Sequence, residues 1–249
     1  MSNLGMLTRQ IIETESALPN FQIGGLTPLT STDFPGCLSA VVFCQGCPWR
    51  CGYCHNPHLI PRHSDTQLDW PAVLDFLRRR QGLLDAVVFS GGEPTLQDSL
   101  AAAINEVRDL GFKIGLHTGG TYPARLGELL PLLSWVGMDI KAAFADYDIV
   151  TGAPASGEKA RESARLLLAS GVPCEFRTTV HPLYHTQDSL LRLAEELREL
   201  GVRNYVLQEF RPQGCADEKV SSYPVEEFLD EALCGRIGAM FDSFVVRRA

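Results

Sequence analysis

Residues 38–56 read LSAVVFCQGCPWRCGYCHN: a short apolar run that passes directly into four cysteines within eleven residues, Cys44, Cys47, Cys51 and Cys54. An apolar run of this length without alternation suits a strand covered on both faces, as in a parallel sheet. Outward from it the pattern returns. Residues 86–90 (AVVFS) end in Gly91-Gly92 and residues 113–118 (KIGLHT) in Gly119-Gly120, while 136–140, 174–180 and 204–210 complete six expected strands. Residues 68–83, 96–110, 124–133, 158–170 and 189–200 have helical spacing, and a last helix is expected over about 225–241. Gly111, Gly171 and Gly201 stand where helix C-caps belong. This alternation implies right-handed crossovers between parallel strands, so the expected fold class is α/β, a barrel or an open sheet. Six strands fall short of the eight that close a full barrel, which leaves one side open. No linker or repeat divides the chain, and the stretch before Leu38 is expected to pack against the barrel.

The 249 residues, 45% hydrophobic and 21% charged, have globular composition and enough length to bury a core without disulfide staples. Lys and Arg number 22 against 30 Asp and Glu, a sum of −8. That argues against coating nucleic acid or an anionic membrane, since either needs a basic surface. The most apolar stretch, residues 129–140, is far shorter than the roughly 20 residues of a membrane helix. Residues 1–19 lack an apolar core of signal-peptide length. A soluble cytoplasmic protein is expected, with neither nucleic acid nor membrane as partner.

The chain has eight cysteines, of which Cys37, Cys174, Cys215 and Cys234 are scattered. A tight group in a chain of this kind points to metal or redox chemistry rather than a disulfide framework. Zinc ribbons separate two Cys-x2-Cys pairs by a dozen residues or more; here only Pro48, Trp49 and Arg50 intervene. Thiolates on one short loop can instead wrap a cuboidal iron–sulfur cluster. If Cys44 stays out, Cys47, Cys51 and Cys54 leave one iron open, as a catalytic metal site requires. A closed site using all four thiols is the alternative.

Cys47-x3-Cys51-x2-Cys54, with Tyr53 before the third cysteine, resembles the signature of the radical S-adenosylmethionine (SAM) superfamily, and Gly91-Gly92-Glu93-Pro94 resembles its GGE motif. The resemblance implies a partial (β/α)6 barrel with parallel strands. It also implies one 4Fe–4S cluster on Cys47, Cys51 and Cys54, whose fourth iron chelates the amino and carboxylate groups of SAM. Asp139-Ile140-Lys141 resembles the Asp-Leu-Lys of glycyl-radical activating enzymes. The implied cofactor-binding residues are Tyr53, Cys54, His55, Gly91, Gly92, Glu93, Asp139, Ile140, Lys141 and Arg211. Arg211 takes the place of a histidine in pyruvate formate-lyase activators. No catalytic side chain is implied beyond the cluster and cofactor site. His117, Thr118 and Arg177 are further polar residues expected at the barrel rim or interior.

Together with residues 29–36 (LTSTDFPG), the cysteine loop is most similar to activating proteins of anaerobic ribonucleoside-triphosphate reductases. The resemblance covers about residues 23–212, leaving an N-terminal extension, 1–22, and a C-terminal helical segment, 213–249, of a single domain. It implies reductive cleavage of SAM to methionine and a 5′-deoxyadenosyl radical, which takes hydrogen from a glycine of the partner. The implied partners are that glycyl-radical protein, the reductase large subunit, and a flavodoxin-like or other low-potential reductant. Arg50, Arg62 and His63 are expected to form a docking patch. The alternatives are action on a pyruvate formate-lyase type of partner or on a small molecule such as a deazapurine precursor.

Overall fold

The computed structural model describes Leu18 and residues 21–65, 68–225 and 228–249. The expected N-terminal extension therefore lies outside the described residues except for Leu18, Phe21 and Gln22. So do two positions of the expected last helix, 226 and 227.

Eight strands form one sheet in sequence order: β1 (Ile23–Thr30), β2 (Ser39–Cys44), β3 (Ala86–Gly91), β4 (Lys113–Thr118), β5 (Trp135–Asp139), β6 (Cys174–Val180), β7 (Asn204–Glu209) and β8 (Ser243–Arg247). β2 to β8 are parallel, and β1 joins β2 antiparallel. The six expected strands are β2 to β7; β1 and β8 flank them and, among the described residues, do not pair with each other, so the barrel stays open.

The crossovers run through α1 (Trp70–Arg78), α2 (Leu100–Asp109), α3 (Pro123–Leu129), α4 (Tyr147–Thr151), α5 (Ser156–Ser170) and α6 (Gln187–Leu200). Gly111, Gly171 and Gly201 adopt φ of +90°, +74° and +93°, the left-handed conformation that ends a helix. The C-terminal segment differs from the helical expectation. It holds α7 (Glu218–Ser221) and α8 (Glu231–Gly238) but ends in β8. α8 starts late because the Asp230 carboxylate accepts the Leu233 amide at 2.7 Å and caps the helix there. Among the described residues no helix is long and apolar enough to cross a membrane.

Successive strand residues enter two different cores, which is why the runs are continuously apolar. Ala40, Val42, Val87 and Phe89 face the helices, where α1 contributes Trp70, Val73, Leu74 and Leu77. Val41, Ala86, Val88 and Trp135 face inward with Phe34 and Cys37. The β1–β2 connection thus closes the barrel floor. Phe34 lies 5.6 Å from Trp135, and a Cβ on Gly115 would stand 3.0 Å from the Phe34 ring. Above this apolar floor, at the C-terminal strand ends, the side chains turn polar.

Candidate active site

The cysteine loop leaves β2 at Cys44 and is held by its own backbone. The amides of Gly46, Cys47, Arg50 and Gly52 donate to the carbonyls of Leu59, Ile60, Thr151 and Val150 at 2.8, 3.1, 2.9 and 3.3 Å. Gln45 Nε2 donates to the carbonyls of His58 and Pro61 at 3.0 and 2.7 Å. The end of β3 is zipped to the same loop: Gly92 N donates to Cys44 O at 2.9 Å and Glu93 N to Gly46 O at 2.8 Å. A Cβ on Gly92 would lie 2.3 Å from Gly46 O. Gly92 thus lacks a side chain where the cysteine loop passes closest, and it also lines the cavity described next.

Cys47, Cys51 and Cys54 line one cavity of about 160 Å³ with Tyr53, His55, Gly91, Gly92, Glu93, Asp139 and Lys141. Cys44 is absent from its walls and wholly buried in the helix-facing core. Burial and the Glu93 carboxylate push the Cys47 thiol up to about 12, and burial raises Cys51 and Cys54 as well. A metal must take these groups as thiolates, and its charge must offset that cost. Among the described residues no three His, Cys, Asp or Glu side chains converge as ligands of a single ion. Ligands of a cuboidal cluster each bind a different iron and stand further apart. Tyr53 is buried and its hydroxyl has no hydrogen-bond partner among the described residues, which costs roughly 1–3 kcal/mol unless a ligand supplies one. The donors on these walls suit a cluster, and at about 160 Å³ the cavity leaves an organic ligand to extend beyond it.

Two carboxylates tie the cavity together. Glu93 Oε1 accepts from Thr95 N, Thr95 Oγ1 and Thr118 Oγ1 at 3.1, 2.6 and 2.7 Å, and Oε2 from Gly119 N at 2.9 Å. Burial raises its pKa against these donors, and Oε2 keeps lone-pair capacity for a further cation. Asp139 Oδ1 accepts from Arg177 Nε at 2.9 Å, and Oδ2 from Lys141 Nζ at 3.0 Å. Burial alone would raise Asp139, but the two cations hold it well below the usual carboxylate range. Burial likewise opposes the charge on Lys141, yet Asp139 lifts its pKa above the ordinary value. Burial and the neighbouring guanidinium push His117 down to about 3, and its Nε2 lies 2.9 Å from the Asp33 carbonyl.

Asp139→Asn leaves Arg177 and Lys141 without their anion. Breaking a buried pair costs about 3–5 kcal/mol; with 33% of the Asp139 side chain exposed, screening reduces this to about 2 kcal/mol. A depressed carboxylate contributes stability above its unfolded pKa, near 4, and loses it as pH falls toward the folded value. Urea midpoints of wild type and variant should differ at pH 7 and converge below about pH 4. A gap independent of pH contradicts the ionic origin.

Two of the expected cofactor residues stand elsewhere. Ile140, one step beyond the inward Asp139, turns into the helix-facing core, and its amide donates to Arg177 O at 2.7 Å. Arg211 lies past the end of β7, where its carbonyl sits 2.9 Å from His55 Nε2. Its side chain lines a second chamber of about 590 Å³. That chamber shares His55, His117, Asp139 and Thr179 with the cysteine cavity and has only polar or charged walls, including Thr32, Asp33, Gln208, Glu209 and Arg247. These last residues were missed from sequence; the signal was the polar residues at the C-terminal ends of otherwise apolar strands. Arg62 and His63 border a separate cavity of about 290 Å³ with Gln97 and Ser99, and Arg50 is not among its walls.

The chain matches the radical SAM superfamily over residues 41–197. A relative from Methanocaldococcus jannaschii named as a glycyl-radical enzyme activating enzyme is 28% identical over 90% of this chain and 95% of its own length. The pyruvate formate-lyase-activating enzyme of Streptococcus mutans is 30% identical over 74% of this chain and 75% of its own. Among solved structures, Streptococcus suis SuiB bound to S-adenosylmethionine has a TM-score of 0.62 at 12% identity, covering 82% of this chain and 48% of SuiB. The chain thus spans about half of that structure, and the likeness is one of fold. Family motif, relatives and fold agree: the chain belongs to the radical SAM superfamily, among the glycyl-radical activating enzymes, a family of enzymes that use a 4Fe–4S cluster and S-adenosylmethionine.

Proposed function

We propose that this chain is a single radical SAM domain, with a core of about residues 23–212, that works in the cytoplasm and installs a glycyl radical on an anaerobic ribonucleotide reductase. Cys47, Cys51 and Cys54 hold the cluster; Tyr53, His55, Gly91, Gly92, Glu93, Asp139 and Lys141 surround the cofactor. When bound, these groups would supply the one-electron chemistry that cleaves SAM and removes a hydrogen atom from the partner's glycine. The electron comes from a flavodoxin-like or other low-potential reductant. The chain's own part is to position: Glu93 offers a lone pair for an ammonium group, and Asp139 fixes Lys141 and Arg177 at the wall between the two chambers.

The observation that carries this reading is the second chamber. Sites for small organic molecules are mostly apolar, whereas a polypeptide brings amides and carbonyls that need polar partners. A chamber lined by polar and charged residues next to the cysteine cavity, in a sheet whose two edge strands do not pair with each other among the described residues, suits a loop of another protein. The name of the Streptococcus mutans relative favours a pyruvate formate-lyase partner as the second reading.

Reconstituted, reduced protein incubated anaerobically with SAM and a purified anaerobic ribonucleotide reductase should give a glycine-centred doublet by electron paramagnetic resonance. The doublet should vanish when the partner's radical glycine becomes alanine. A doublet on pyruvate formate-lyase alone moves the assignment to that partner. Cofactor cleavage with no radical on either protein overturns the proposal.

A further inference from the structure

The larger chamber brings together three arginines and three acids, and most are already spoken for. Arg177 is paired with Asp139, Arg247 makes two bonds of 3.0 Å to Glu175, and Glu209 accepts from Arg248 at 3.2 Å. Two charges remain. Asp33 Oδ2 accepts from Thr30 Oγ1 at 2.6 Å and, at 3.5 Å, from Thr32 Oγ1, but Oδ1 takes no donor among the described residues. The Arg211 guanidinium has no carboxylate partner among them; its one side-chain contact is a 3.4 Å bond to the Arg248 carbonyl.

Both are held in place from behind. The Asp33 carbonyl lies 2.9 Å from His117 Nε2, and the adjoining Phe34 is locked against Trp135. The Arg211 carbonyl lies 2.9 Å from His55 Nε2, and the His55 ring stacks on Phe210 at 5.3 Å. Asp33 comes from the connection after the first strand, and Arg211 follows the last strand but one. The two residues therefore reach one chamber from opposite ends of an unclosed sheet. A fixed backbone beneath a charged tip that makes no ion pair is the arrangement of a recognition group: part of the ordering cost is met in advance, and a complementary charge finds no competing ion.

We propose that Asp33 and Arg211 are specificity-determining residues for the polypeptide that enters the chamber. Asp33 receives a basic side chain and Arg211 an acidic one, from positions flanking the reactive glycine. The inference rests on the glycyl-radical reading above and adds the charge pattern of the segment that this site accepts. It also moves Arg211 from the cofactor to the partner.

The probes are fluorescein-labelled nine-residue peptides with a central dideuterated glycine and either neutral flanks, one lysine, one glutamate, or one of each in both orders. Anisotropy with the iron-loaded protein and SAM reads binding; deuterium in 5′-deoxyadenosine reads hydrogen transfer. Charge-assisted bonds predict that a correctly placed lysine, and separately a glutamate, each tighten binding about tenfold. Asp33→Asn should erase the lysine preference and keep the glutamate preference, and Arg211→Gln should do the reverse. Variants that keep both wild-type preferences overturn the assignment. Equal binding of all peptides with deuterium transfer also overturns it, yet leaves the glycyl-radical reading standing. Neither binding nor transfer from any peptide overturns both.

Discussion

Cys47→Ala, Cys51→Ala and Cys54→Ala are each expected to lose bound iron and sulfide after anaerobic reconstitution and to abolish radical formation, while Cys44→Ala keeps the cluster. The four thiols lie within eleven residues, but the fold sorts them. Cys44 is the last residue of β2, paired in register with Gly91, and its side chain alternates into the helix-facing core. The other three follow after the strand has ended and face the cavity. Removing one of three ligands leaves an iron without its thiolate, and no other cysteine lines that cavity. Removing the Cys44 thiol costs only burial, about 1 kcal/mol. Iron and sulfide counts, with visible absorbance, decide the matter. A Cys44→Ala protein without cluster, beside a Cys47→Ala protein with one, reverses the assignment.

Gly92→Ala should be nearly as damaging, for a different reason. Its Cβ would stand 2.3 Å from Gly46 O, 2.7 Å from Gly46 C and 2.9 Å from Leu59 O. All three are backbone atoms, so no rotamer change relieves the clash. Overpacking costs typically 1–3 kcal/mol, and backbone collisions belong at about the upper end of that range. The strain would fall on the hydrogen bonds that carry Cys44 and Gly46, so cluster loading should drop with stability. Gly36→Ala is the useful contrast. Gly36 also has positive φ, +73°, but nothing lies within 4 Å of its added Cβ. It should lose about 1 kcal/mol from conformation alone and keep its iron. A Gly92→Ala protein within 0.5 kcal/mol of wild type, an approximate threshold for surface changes, would show that the loop yields.

The six central strands were legible because burial on both faces writes an uninterrupted apolar run, as in Ala86–Gly91. β1 was not legible. Ile23–Thr30 (IGGLTPLT) carries two glycines, a proline and threonines, and its pairing with β2 is irregular in register. It is a strand because β2 offers an open edge, and that is a tertiary cause. β8 is five residues at the other edge, where α8 was expected to end later. Within the site, the cysteines stood out by their spacing, and Glu93 and Asp139 by local motifs that resemble the family's. The two cations on Asp139 could be read only in part. Lys141 is two residues away, whereas Arg177 reaches Asp139 through the register of neighbouring strands. The polar chamber was legible only as separate polar residues at strand ends, for the same reason. Its walls come from the β1–β2 connection, β6, β7 and β8, and only the sheet order brings those segments to one place.

The hydrogen bonds that hold the cysteine loop tie its shape to two other stretches of the chain. Not one of the four amide anchors, at Gly46, Cys47, Arg50 and Gly52, ends on a thiol; all end on carbonyls of neighbouring segments. In a zinc finger, by contrast, metal binding is itself the folding free energy, and the peptide collapses into shape only around its ion. Here the loop has backbone anchors of its own beside its three cysteines, so a change in the segments at 59–60 or 150–151 can reach the thiols without touching one.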